Sequence, residues 1–120
     1  MALNADFLHD TDFNSIPGTV ATGGINAGEF QKIEDTWGLA YVTALAGVVI
    51  NFVFRGVQVE LPKSVGTGLS FTAGDICWLD TSTKLVHKTF ATGNVNVGIA
   101  RKDAGISDTH VLADFNGRAT

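Results

Sequence analysis

Residues 48–63, VVINFVFRGVQVELPK, place their apolar side chains in two phases. Read as a strand, Val48, Ile50, Phe52 and Phe54 share one face. Beyond Arg55 and Gly56 the apolar face passes to Val57, Val59 and Leu61, with Gln58 and Glu60 turned away. One extra residue in a strand carries every later side chain to the other face. A β-bulge does this locally while bending and twisting the strand, and glycine suits its awkward position. Arg55 and Gly56 are therefore the expected bulge, as in strands that turn a barrel corner or pass between two sheets. A strand buried on both faces as far as Arg55 is the alternative. Pro62 closes the strand, because proline brings no donor to the ladder.

The rest of the chain reads as short strands split by turn signals. EFQKIE places Phe30 and Lys32 on one side, and Asp35-Thr36 turns it. WGLAYVT alternates Trp37, Leu39 and Tyr41 against Gly38, Ala40 and Val42. After the loop KSVGTGLSFTAGD, the segments DICWLD and KLVHKTF form a hairpin across Thr81-Ser82-Thr83. VNVGIARK sets Val95, Val97 and Ile99 on one face, and THVLADF turns Val111, Ala113 and Phe115 inward. No stripe of helical period and no repeat of fixed period is visible. The pattern predicts an all-β fold, a small antiparallel barrel or sandwich.

Residues 1–27 differ from this pattern. They hold Phe7, Leu8, Phe13 and Ile16 at spacings that fit neither a long helix nor a long alternating strand, then Pro17-Gly18 and a run rich in Gly, Thr and Ala. The expectation is an extended N-terminal arm over 1–27, with a short strand around Ile16 to Thr22, and a β domain over 28–120. A frayed terminus is the competing reading. Four bulky apolar groups argue against it, since each is worth roughly 1.5–3 kcal/mol when fully buried.

A chain of 120 residues with a net charge of −4 suits one domain and no phosphate-backbone partner. Lys and Arg are scattered, so neither nucleic acid nor an anionic membrane is expected. Only 17% of residues are charged, which hints that part of the surface is covered by other protein. Cys77 is single and sits in the apolar run ICWL, as a small buried hydrophobe would. No signal peptide and no membrane span is read from the sequence.

Candidate chemistry is sparse. His9, His87 and His110 are far apart, and His87 and His110 are expected to face solvent. His9-Asp10-Thr11-Asp12 reads as a solvated loop rather than a cation site, and Asp75 and Asp80 as turn caps. The glycine-rich piece GTGLSFTAG lacks phosphate-loop spacing. No catalytic, metal or cofactor site is expected.

Several segments together resemble a family of small tailed-phage capsid cement, or decoration, proteins. Gly56, Val57, Leu61, Pro62 and Lys63 fit a G-V-x-x-L-P-K strand end with a one-residue difference in spacing. Gly74, Asp75, Trp78 and Asp80 fit a G-D hairpin, and Gly98, Ile99 and Ala100 a G-[IV]-A strand. The likeness runs from Gly28 to Asn116. It implies a non-enzymatic protein, made in the host cytoplasm, that binds the outer surface of the assembled head as a homotrimer. It would there bridge copies of the major capsid protein. The arm residues Phe7, Leu8, Phe13 and Ile16 would then contact a neighbouring subunit or the shell. A tail or head-fibre component of the same fold is the alternative, and a small-ligand-binding barrel a third.

Overall fold

The structure is a computed structural model that describes residues 13–118. Eight strands make one antiparallel sheet: β1 (Phe13–Thr19), β2 (Phe30–Ile33), β3 (Thr36–Ala40), β4 (Val49–Pro62), β5 (Ile76–Asp80), β6 (Leu85–His87), β7 (Val95–Ala100) and β8 (His110–Asn116). Their order is β2-β3-β4-β8-β7-β5-β6, with β1 also paired to β4. A bridge between Lys63 and Val86 brings β6 back to the end of β4, so the sheet curls into a nearly closed barrel. No helix occurs among the described residues. The all-β expectation holds.

The barrel is built from one arrangement used twice. In the first unit Ile25 bridges Ala44, and Gly28 N donates to Ala40 O; in the second Phe71 bridges Ala104, and Gly74 N donates to Ala100 O. Phe30 opposite Leu39 corresponds to Ile76 opposite Ile99. Leu39 and Ala40 lie opposite Val53 and Phe52, just as Ile99 and Ala100 lie opposite Asp114 and Ala113. Side chains follow suit. Ala27 N donates to Thr43 Oγ1 at 3.1 Å and Ala73 N to Asp103 Oδ1 at 2.9 Å. Asn26 N and Thr72 N are capped by Glu29 and Asp75. A search for a fixed period misses this, because the second unit inserts β6 between the strands that match β2 and β3.

The duplication explains the long strand. The first part of β4 closes unit one, and its last part opens unit two. Thr19 opposite Val49 matches Pro62 opposite His110. Between these parts the ladder slips twice. Asn14 and Ser15 face Arg55 and Val53, leaving Phe54 as an extra residue toward β1. Gly56 and Val59 face Phe115 and Ala113, leaving an extra residue at Val57–Gln58 toward β8. Gln58 takes the left-handed φ of 55° there, and its N–H reaches Asp114 Oδ1 at 3.3 Å. Arg55 and Gly56 lie between the two slips. The buried positions run Phe52, Val53, Phe54, then Gly56, Val59 and Leu61. Val57, expected inside, is half exposed because it precedes the second slip.

Two cores result. The larger one holds Phe30, Leu39 and Val53 of unit one with Leu61, Leu79, Val97, Val111 and Phe115 of unit two. Phe30 meets Phe115 edge-on at 5.7 Å. The smaller one holds Val20, Ile25, Ala40 and Phe52. Neighbours Leu39 and Ala40, and likewise Phe52 and Val53, go to different cores, so unit one is a layer with apolar packing on both sides. Val111, Ala113 and Phe115 point inward as expected. Ile99 does not. The β5–β7 register slips at Val97, and Gly98, at φ 152°, turns Ile99 outward. A Cβ at Gly98 would run into Asp114 O, so that close strand approach requires glycine.

Candidate interaction surface

The groups with chemical potential are occupied by the fold. Asp80 caps the β5–β6 turn. Its Oδ1 accepts from Ser82 Oγ at 2.8 Å and Ser82 N at 2.9 Å, which together hold its carboxyl below the usual range. His87 is half-buried rather than solvent-facing, with Nε2 3.1 Å from Ser64 Oγ and 4.0 Å from Asp80. Cys77, on β5, is fully buried in the larger core. Burial, with a smaller effect of Asp75, pushes its thiol up to about 12, so it is no nucleophile at neutral pH.

Lys63 is the one buried cation among the described residues, 2% exposed. Its Nζ donates to Gly105 O at 3.0 Å and Asp108 O at 2.9 Å, tying the turn of residues 105–108 to the end of β4. The matching position in unit one is the buried Val20, since Val20 N donates to Val48 O as Lys63 N does to Thr109 O. The L-P-K ending thus serves structure.

A cleft of about 260 Å³ lies between the first turn of unit one and the β5–β6 hairpin, lined by Glu29, Gln31, Pro62 and Lys84. Gln31 bonds Ala21 N and Thr19 O, and Glu29 bonds Asn26 N, so both side chains serve the adjoining backbone. No group of three metal-ligating side chains occurs among the described residues.

The surface carries a clearer signal. The turn between β3 and β4, with the first residue of β4, exposes Val42, Leu45, Val48 and Val49 at 49, 79, 45 and 64%. The corresponding turn of unit two has the same bridge and cap but bears Lys102, Gly105, Asp108 and His110, with Ile106 as its one large exposed apolar side chain. The fold evidently tolerates polar residues there, so the apolar set in unit one is free to serve contact. Sequence reading missed this tip, because alternation in 42–49 suggested only a turn followed by a strand. Of the arm residues, Phe13 starts β1 opposite Gly56, and Ile16 is half-buried opposite Phe52. Phe7 and Leu8 lie outside the described residues. Among the described residues β1 pairs along one edge only, with β4.

A family model described as phage cement protein matches residues 11–115. The chain belongs to this family. The match extends past Gly28, where the sequence likeness was read to begin, and takes in β1 and the turns after it. As a cement protein, the chain joins a protein class of the phage head. No curated protein and no solved structure matches it.

Proposed function

We propose that this cement protein binds the outer surface of the assembled phage head and bridges copies of the major capsid protein, as a homotrimer and without catalysis. The observation that carries the reading is the family match, which spans all eight strands but for the end of the last. The surface supports it through the exposed tip around Leu45 and the open edge of β1. A ligand that binds only the assembled shell stabilises it by RT ln(1 + [L]/Kd) per site, about 2.7 kcal/mol at a hundredfold excess over Kd. Several contacts per particle raise the apparent affinity further. The arm contributes Phe7 and Leu8 to a neighbouring subunit or the shell, its root held to β4 by the β1 ladder. The virion surface is its site of action.

Deleting residues 2–12 leaves β1 whole. We expect a folded barrel that sediments with purified heads at least about tenfold more weakly, a loss of roughly 1.4 kcal/mol. Unchanged saturation of heads would remove the arm from the interface. Failure of the full chain to bind heads at all would overturn the reading. Sedimentation equilibrium of the free protein reads the trimer directly.

A further inference from the structure

A row of outward side chains crosses the barrel wall. Ile76 on β5 lies opposite Ile99 on β7, which lies opposite Asp114 on β8; Val57 on β4 follows at the second slip. Trp78, farther along β5, meets Phe90 edge-on at 4.9 Å. Ile76, Ile99, Val57 and Phe90 are 37, 47, 50 and 56% exposed. The matching row in unit one is Phe30, Leu39 and Val53, at 2, 4 and 2%, because the core of unit two covers it. One place in a repeated fold is thus lidded in the first unit and open in the second. The open copy still keeps isoleucine at both β5 and β7 positions.

The start of β1 indicates what covers it. Phe13 faces Gly56, one residue from Val57, and twelve residues precede it. From Val57 to Ile76 the row spans three strand spacings, about 14 Å at roughly 4.8 Å each. Six extended residues, from Phe13 back to Phe7, reach about 20 Å. The segment carries Phe7 and Leu8, and has three aspartates with no Lys or Arg. The exposed cations Arg55 and Arg101 flank the β4 and β8 part of the row, Arg101 already paired with Asp114 Oδ2 at 3.0 Å.

We propose that residues 1–12 of this chain lie across the row in the free protein, with Phe7 and Leu8 over Ile99 and Ile76 and with Asp10 and Asp12 toward Arg55 and Arg101. The contact deepens the docking role of the arm by giving it a resting place before it meets a neighbour. Only that release step rests on the cement reading.

Limited chymotrypsin cleavage after Phe7 and Leu8, followed by mass spectrometry, tests the contact, because cleavage tracks the population of the open form. The full chain should be cut roughly tenfold more slowly than the Ile76→Asp, Ile99→Asp variant. Its cutting rate should not depend on protein concentration. In a chain with Phe7→Ala and Leu8→Ala, Trp78 emission should shift to the red and acrylamide quenching should rise, over a constant contribution from the buried Trp37. Equal, rapid cleavage of full chain and variant, or unchanged Trp78 emission, overturns the proposal. Protection that is lost on dilution assigns the segment to a second copy and overturns it equally. Neither assay involves heads, so a failure here is distinct from a failure to bind the shell.

Discussion

Replacing Lys63 with methionine keeps the length of the side chain and removes only its ammonium. Two bonds go, to Gly105 O and Asp108 O. Hydrogen bonds to charged groups are worth about 1.5–3 kcal/mol each. Against that stands the recovered desolvation of a cation 2% exposed, several kcal/mol. The two carbonyls belong to an exposed turn, so water replaces the lost donor in part. The balance is a destabilisation of about 1–2 kcal/mol, which for a chain of this size lowers Tm by roughly 4–10 °C. Amide exchange should quicken at Gly105 to Asp108 before it does elsewhere. The pH dependence gives a second readout. Burial lowers the Lys63 pKa below its usual 10.5, against a smaller opposing pull from Asp108. Between the lowered value and 10.5 the unfolded chain binds more protons than the folded one, so this group adds stability as pH rises through that window. Lys63→Met should lack the gain. A Tm equal to or above that of the wild type would refute the reasoning. It would show that the apolar solution of Val20 serves unit two equally well.

Cys77 titrates with the opposite consequence. Its folded pKa of about 12 lies above the ordinary 9.0, so its contribution is intact below pH 9.0 and is lost above it by about 1.4 kcal/mol per unit until 12. Cys77→Ala should flatten that alkaline loss, and the native thiol should react with a disulfide reagent only at the rate of global unfolding. Gly98→Ala forces a Cβ into Asp114 O, and we expect a loss of at least about 3 kcal/mol in urea unfolding, whereas Gly74→Ala, with open space but φ 101°, costs about 1–2 kcal/mol. Thr43→Val and Asp103→Ala each remove one turn bond; if the two units are equivalent, both lower stability by about 0.5–1.5 kcal/mol, and a tenfold disparity in the unfolding constant between them would argue against it.

The strands were legible where one face alternates cleanly. β8, with Val111, Ala113 and Phe115 buried, and the hairpin across Thr81-Ser82-Thr83 follow from period two and turn chemistry alone. The failures share a cause. At Val57 and at Ile99 a bulge changes which side chains face inward, and a bulge is a backbone event that composition marks only with a nearby glycine. Unit one defeats alternation differently, since Thr36 to Ala40 are buried on both faces and no polar side remains to set the phase. The interaction surface was the least legible part. Whether Leu45 is core or tip depends on the turn it occupies, and the open row at Ile76 and Ile99 reads as core in any window.

Duplication supplies an internal control that a single domain lacks. Where both units agree, the residue belongs to the fold: Gly38 and Gly98, Ala40 and Ala100, and the paired caps at Thr43 and Asp103. Where they differ at the same backbone position, packing has not decided the choice. On the exposed turn Val42, Leu45 and Val49 stand against Lys102, Gly105 and His110. Among the described residues no buried side-chain polar atom lacks a partner, so the polar groups inside are engaged in holding the barrel. The large apolar side chains left outside cluster on the turn before β4 and along the row from Val57 to Ile76, with Val65 and Ile106 apart from both. A barrel with satisfied polar groups and uncovered apolar ones is suited to contact with other protein, and substitutions on its surface should change what it holds before they change whether it folds.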